Sequence, residues 1–92
     1  MRLTYDPAKR ALTLEVRGLD FEDAGRVLKS RNLTLEDDRR DYGEVRLQTV
    51  ARLNDHLVMV IWTARGDACH VISMRKCNAR ERKIYLPRLD RS

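Results

Sequence analysis

The chain has 92 residues, of which 42% are hydrophobic and 36% are charged, and its formal net charge is +5. A chain of this length supports one hydrophobic core, so we expect a single domain over residues 1–92. No apolar run approaches the ~20 residues of a membrane-spanning helix. The alternating polar and apolar residues after Met1 are unlike a secretion signal, which favours a cytoplasmic protein.

The positive charge is concentrated at the C-terminal end. Residues 75–92 contain seven basic and two acidic residues, whereas residues 1–74 contain twelve of each. Fifteen of the basic residues are arginine and four are lysine, and a planar guanidinium matches a phosphate bidentately. This pattern favours a polyanion as partner, although a solvated basic helix is the simpler interpretation of such a tail.

The N-terminal third is predicted to hold a short strand over residues 3–5 and two helices. Asp6-Pro7 is a strong helix start, so the first helix should cover residues 7–16 and end at Gly18. Asp20 should begin a second helix over residues 21–29, which has an apolar stripe at helical spacing. Residues 32–36 alternate as a strand, and an acidic loop follows them.

Three strands are predicted next, over residues 45–53, 56–63 and 68–75, joined by two short turns. The unbroken apolar run in the second strand is typical of a central strand covered on both faces. The fold class is therefore predicted as α+β, with two N-terminal helices on a mainly antiparallel sheet whose core is a three-strand meander. A basic helix, capped by the pair Asn78 and Glu81, should follow and stop at Pro87.

Counting outward from even-numbered turns places Leu47 beside Trp62 and Cys69, and Thr49 beside Val60 and Val71. The opposite face of the sheet would then carry a polar set: Arg46, Gln48, Arg52 and His70. The basic helix could lie along this face and form a groove that suits single-stranded RNA. By strand alternation Arg75 would point to the other side, unless the strand twists at its end.

RNA cleavage without a metal drives the 2′-hydroxyl onto the adjacent phosphorus and needs cations for the developing charge. His70 is the first choice for proton transfer because its ordinary pKa is near neutrality. Tyr85 could act as an acid, a base or a stacking platform. The candidate catalytic residues are Arg46, His70, Arg75, Arg82 and Tyr85. Further candidate RNA-binding residues are Gln48, Arg65, Lys76 and Arg80.

Each candidate also has a structural interpretation. A histidine on a half-buried strand is more often a satisfied core residue, and a tyrosine near a helix end often only packs. Cys69 and Cys77 lie without a metal-ligand pattern, and the two histidines do not complete one. We therefore expect free thiols, no metal and no cofactor.

Several segments, taken in order, resemble the BrnT family of type II toxin–antitoxin toxins. They are Tyr5-Asp6-Pro7-Ala8-Lys9, Gly18-Leu19-Asp20-Phe21-Glu22-Asp23-Ala24, Gly43-Glu44-Val45-Arg46, Thr63-Ala64-Arg65-Gly66-Asp67, Ile72-Ser73-Met74-Arg75-Lys76 and Ala79-Arg80-Glu81-Arg82-Lys83-Ile84-Tyr85. The chain departs from the family at Val16-Arg17-Gly18, where Lys-His-Gly is usual, and at Thr13, where asparagine is usual. His70 also stands where an arginine is common.

The resemblance implies a small ribonuclease toxin with a RelE-like fold that cleaves RNA and halts translation. A BrnA-like antitoxin would neutralise it in a heterotetramer and would supply the contact with operator DNA. The family's C-terminal signature falls on Arg75, Arg80, Arg82 and Tyr85, and the arginine after Gly-Glu falls on Arg46.

Two other functions remain open on the residues alone. The chain could be a catalytically weak or inactive member that binds nucleic acid or antitoxin without cutting. Direct DNA recognition is the least favoured, because neither a helix-turn-helix nor a ribbon arm is visible in the sequence.

Overall fold

The computed structural model describes residues 2–91, in which five strands form one mixed sheet. The strands are β1 (Arg2–Tyr5), β2 (Asn32–Glu36), β3 (Leu47–Leu53), β4 (His56–Arg65) and β5 (Ala68–Lys76). Their order in the sheet is β1-β5-β4-β3-β2. The apolar run of β4 lies in the middle of this order and is buried, which confirms it as a central strand.

The predicted three-strand core is wrong, because two further strands extend it. β1 pairs in parallel with β5, and β2 pairs antiparallel with β3. Both are edge strands of four or five residues. Alternation can identify such short segments as strands, but it carries no information about which strand they pair with.

The predicted pair of N-terminal helices packed on the sheet is also wrong. The first helix, α1 (Pro7–Arg17), begins at the Asp6 cap and ends at Gly18, whose φ is 69°, but it contributes no buried residue. Its large apolar residues are Leu12, Leu14 and Val16. Leu12 and Val16 share one side of the helix and Leu14 lies on the opposite side, so the three form no single stripe for burial against the sheet.

The second predicted helix is divided into a 3-10 turn, Phe21–Asp23, and a short α2, Ala24–Lys29. Phe21, Ala24 and Val27 are fully buried, so this short segment, and not α1, supplies the helical side of the first core. The RelE-like arrangement that we expected, with two N-terminal helices on a meander, is replaced by one flanking helix and one buried turn-and-helix segment.

The C-terminal helix α3 (Ala79–Arg91) continues through Pro87, where we expected it to stop. A proline inside a helix removes one backbone hydrogen bond and costs about 3 kcal/mol. Leu89, in the turn that follows, is fully buried. Burial of such a side chain contributes about 2 kcal/mol, which offsets most of that cost. The predicted cap is confirmed, because Asn78 Oδ1 accepts from Glu81 N–H and Glu81 Oε1 accepts from Asn78 N–H.

The two sides of the sheet carry separate apolar clusters. On the first, which we call the α2 side, Phe21 and Val27 pack against Val58, Val60 and other buried strand residues. On the second, the α3 side, Leu89 packs against residues that include Val50, Leu57, Met59 and Ile61. No helix within residues 2–91 is both long and apolar enough to cross a lipid bilayer.

The register of β3 on β4 is as predicted, with Leu47 opposite Trp62. The predicted register of β4 on β5 is wrong, because Trp62 pairs with Val71 and Ile61 pairs with Ser73. Ile72 therefore has no partner, as in a β-bulge, and the bulge reverses the alternation of the residues after it. No composition signal marks such an insertion.

The reversed alternation changes the position of Arg75. Strand alternation alone had placed it away from His70, on the side of Val71. In the structure, Arg75 Nη2 lies 3.4 Å from the Met59 sulfur, and Arg75 pairs with Glu81 of α3. Arg75 and His70 thus share the α3 side.

Candidate functional site

A row of polar side chains crosses the α3 side of the sheet near the end of β4. Thr4 and Thr63 are the neighbours of His70 on β1 and β4. If the β3–β4 register is continued by one residue beyond Leu47, Arg46 comes opposite Thr63. Thr63 Oγ1 donates to the Val45 carbonyl at 2.6 Å, which ties this segment to β4. We call Thr4, His70, Thr63 and Arg46 the polar row.

His70 is the only member of the polar row that can exchange a proton near neutral pH. Its Nδ1 lies 2.9 Å from Thr4 Oγ1, and no other hydrogen bond of the ring is seen within residues 2–91. Burial lowers the pKa of His70, and the nearby Arg65 guanidinium lowers it further. The imidazole is therefore neutral at pH 7, which is the form that accepts a proton.

Arg46 is held by an aromatic ring. Its guanidinium carbon lies 3.9 Å from the centre of the Tyr42 ring, a cation–π contact. Arg46 Nε is buried and has no hydrogen-bond partner among residues 2–91, and the nearest carboxylate oxygen, Glu44 Oε1, is 4.0 Å away. Arg65, also a candidate, reaches the same Glu44 oxygen at 3.4 Å and is half exposed.

Asp37 anchors the loop that carries Tyr42 and Arg46. Its carboxylate is buried, and it accepts two hydrogen bonds from Arg39 and one from the Tyr42 hydroxyl. Its backbone N–H donates to the Arg46 carbonyl at 2.7 Å. The Arg39 hydrogen bonds lower the pKa of Asp37 to about 2, with a smaller contribution from the Gln48 side chain. Gln48, a predicted RNA-binding residue, thus faces this buried carboxylate.

Arg75 lies at the other end of the α3 side, beside the start of α3. Its Nη1 and Nη2 donate to both carboxylate oxygens of Glu81 at 2.7 and 2.8 Å, a bidentate charge-assisted pair. The hydrogen bonds from Arg75 lower the pKa of Glu81 to about 2. Glu81 is therefore ionised at neutral pH and fixes the direction of the guanidinium.

Tyr85 follows Glu81 by one helical turn and is on the same side of α3. It is half-buried against the second apolar cluster, which also includes Ile61 and Ile72. The partners of His70 and Arg75 on β4 are Thr63 and Met59, four residues apart, so the two residues are separated by roughly 13 Å along the sheet. Tyr85 and Arg75 thus border the α3 side where the helix begins, and the polar row borders it at the other end.

The remaining basic candidates lie elsewhere. Arg82 donates to the Cys77 carbonyl at 2.9 Å and lines a groove with Arg52 and His56, beside the β3–β4 turn. Lys76 and Arg80 are exposed. The structure thus brings Arg46 and His70 into one row and Arg75 and Tyr85 into one corner, and it separates Arg82 from both.

Four residues that sequence reasoning did not single out contribute to this geometry. They are Thr4, Asp37, Tyr42 and Glu44. Their positions depend on parallel pairing of β1 and on the fold of the loop between β2 and β3. The one available signal was an aspartate and a tyrosine within a charged loop, which is too common to indicate a buried anchor.

The cysteine thiols and the acidic side chains of the described residues form neither a nucleophilic site nor a metal site. Cys69 and Cys77 are buried and free, and burial raises the pKa of each to about 11, so both are weak nucleophiles near neutral pH. Across residues 2–91, no three His, Cys, Asp or Glu side chains cluster as metal ligands would.

The model of one protein family, described as "Ribonuclease toxin, BrnT, of type II toxin-antitoxin system", matches residues 5–81. The chain is also similar to the 1.1 Å crystal structure of the Brucella abortus ribonuclease toxin BrnT, with a TM-score of 0.67 and 27% sequence identity. That match covers 85% of this chain and 97% of that chain. No curated protein matches the sequence. The family match includes Arg46, His70 and Arg75 and ends before Arg82 and Tyr85.

Proposed function

The chain belongs to the BrnT family of ribonuclease toxins of type II toxin–antitoxin systems, and we propose that it cuts RNA on the α3 side of its sheet. The observation that carries this proposal is the bulge at Ile72, because it turns Arg75 to the side that holds His70. Cleavage of cellular RNA then inhibits translation in the cytoplasm. A type II toxin has an antitoxin partner, and we propose that this partner is BrnA-like, forms a heterotetramer and makes all contacts with operator DNA.

The proposed reaction is an internal transfer at phosphorus that needs no metal ion. His70 accepts the proton of the ribose 2′-hydroxyl, the 2′-oxygen forms a bond to phosphorus, and the bond from phosphorus to the 5′-oxygen breaks. The departing 5′-oxygen takes a proton from water, and Tyr85 stacks on a base of the same strand. The products are a 2′,3′-cyclic phosphate and a free 5′-hydroxyl.

Arg46 supplies the positive charge that the phosphorane requires, because it lies in the same polar row as His70, and fixed donors aimed at developing charge are worth about 100-fold or more in rate. Arg75 retains Nε–H after both terminal nitrogens have paired with Glu81 and donates it to a neighbouring phosphate of the same strand. Arg46 offers the buried Nε–H that lacks a partner within residues 2–91.

The other basic candidates have separate proposed roles. We assign Gln48 and Arg65 to contacts with RNA beside the polar row. Arg82, Lys76 and Arg80 would contact the strand beyond the scissile phosphate, since they border the other side of α3 or are exposed.

The direct test uses purified protein and end-labelled RNA in the presence of a chelator. We expect new ends with cyclic phosphates, and a rate that rises as the pH increases through a value below 6.5, since the pKa of His70 is lowered. Arg75→Ala combined with Tyr85→Ala should reduce cleavage about 100-fold, because a phosphate contact and a base-stacking contact of about 1–3 kcal/mol are lost together. It should also restore growth to cells that express the chain without antitoxin.

A matched control is Arg26→Ala, which removes an exposed arginine on α2. This variant should cleave RNA and stop growth like the unmodified chain. If the Arg75 and Tyr85 double variant stays toxic, the site is wrong. If the unmodified chain binds RNA in a salt-dependent way and leaves no new ends, it is the non-catalytic binding module.

A further inference from the structure

The helix α1 presents an apolar surface that no part of residues 2–91 covers. Leu12 is 61% exposed and Val16 is 70% exposed. They are four residues apart and therefore lie on the same side of the helix. Leu14, by contrast, is 46% exposed and is turned by about 200° from Leu12.

This apolar surface borders a shallow groove between α1 and β5. The groove has a volume of about 240 Å³ and is lined by Lys9, Leu12, Thr13, Val16, Arg17 and Ser73. An amphipathic segment of another protein binds by laying its apolar side chains into such a groove, and Leu12 and Val16 offer it an apolar contact.

The charge around the groove decides among the possible occupants. Lys9 and Arg17 lie at its rim, and no carboxylate is among the lining side chains of the described residues. In a symmetric contact between two copies of this chain, the cationic rims of both copies would face each other, which is repulsive. RNA would find no aromatic ring in the groove on which a base could stack.

The groove also adjoins the α3 side at the edge of the sheet. Lys9 is close enough to His70 that its charge contributes to the lowered pKa of the imidazole. Ser73, in the groove, directly follows the bulge residue Ile72. A polypeptide seated on α1 would therefore pass beside the polar row.

We propose that the α1 groove binds an acidic amphipathic segment of the antitoxin, with apolar side chains on Leu12 and Val16 and carboxylates on Lys9 and Arg17. This inference rests on the toxin–antitoxin function proposed above. It assigns recognition of the antitoxin to a surface that carries none of the proposed catalytic side chains.

The test compares two variants of the full chain in titrations with the co-encoded antitoxin, purified separately. Leu12→Gln with Val16→Gln should raise the Kd about 100-fold, because two large apolar contacts are lost. Leu14→Gln is the matched control and should stay within about twofold. Lys9→Glu should weaken binding less, and the effect should diminish as salt is raised.

The RNA cleavage assay and circular dichroism are run on the same samples, and neither should change in the double variant. An antitoxin Kd equal to that of the unmodified chain would overturn the proposal. Loss of RNA binding would instead identify RNA as the occupant, and a change in sedimentation of the chain alone would identify a second copy. Because the Kd is measured directly, absence of cleavage by the unmodified chain would contradict only the proposed nuclease function.

Discussion

The two sides of the sheet differ in the polarity of the side chains that they carry. On the α2 side, Phe21, Ala24 and Val27 are fully buried and the cluster around them is apolar. On the α3 side, apolar packing is limited to the residues beneath α3, and beyond them lie His70 and Arg46, both half-buried. The α2 side thus contributes to stability alone, whereas the α3 side also carries the proposed chemistry, so changes on the α2 side should affect stability and spare activity in the folded protein.

The largest expected effect is on the α2 side. Phe21→Ala leaves a cavity in the fully buried cluster and should lower the free energy of unfolding by about 3–5 kcal/mol. Urea denaturation followed by circular dichroism measures it. At temperatures where the variant remains folded, RNA cleavage should be unchanged. A specific loss of cleavage in the folded variant would contradict the division between the two sides.

The next largest effect on stability is expected at the buried carboxylate of Asp37, whose backbone N–H donates to the Arg46 carbonyl. Asp37→Asn should cost about 2 kcal/mol, because the charge-assisted hydrogen bonds of Arg39 and Tyr42 are weakened. The pKa of Asp37 is lowered to about 2 from 3.8. Its contribution to stability is therefore complete above about pH 4 and is lost as the pH falls towards 2.

Urea denaturation of Asp37→Asn at pH 7 and at pH 3 tests this interpretation. The variant should lose less stability on acidification than the unmodified chain. Glu15→Gln, which changes an exposed carboxylate on α1, is the control and should lose as much stability on acidification as the unmodified chain. Equal acid sensitivity of Asp37→Asn and the unmodified chain would show that Asp37 does not anchor the loop.

A smaller effect is expected at the start of α3. Asn78→Ala removes the acceptor for Glu81 N–H and should cost about 1 kcal/mol. Thermal unfolding is the measurement. Asn78→Asp, which retains an acceptor, should be close to neutral, and a large loss in that variant would argue against a capping role.

The smallest effect is expected at the exposed pair of Arg52 and Asp90, 2.7 Å apart. Both side chains are at least half exposed, so solvent screens their attraction, and Arg52→Ala should cost less than about 1 kcal/mol. A double-mutant cycle with Asp90→Ala measures the coupling directly. A coupling well above that value would mean that α3 is held by its charges as well as by Leu89.

Local signals in the sequence predicted the elements well where the chain carries strong capping or turn residues. Asp6-Pro7 and Gly18 mark the ends of α1, and Asn54, with φ of 54°, makes the β3–β4 turn. These features act over a few residues, so they are visible without tertiary structure.

The parts of the site that could not be predicted depend on contacts between distant segments. The position of Arg75 follows from one unpaired residue in β5, and the burial of Asp37 follows from how its loop packs. The helix α3 passes Pro87 because a sheet is available to bury Leu89. Propensity and alternation describe a segment by itself and contain none of this information.

The unpaired Ile72 makes the candidate site sensitive to the length of β5 as well as to its residue types. Removal of this single residue would restore regular pairing and still leave Arg75 opposite Met59, whereas one further residue inserted between Ile72 and Arg75 would rotate the guanidinium to the opposite surface. An insertion there should accordingly be far more harmful to the toxin than most substitutions in this strand, and deletion of Ile72 should be tolerated better than the insertion. A library of one-residue insertions and deletions along β5, assayed for RNA cleavage, would show which changes in length abolish activity.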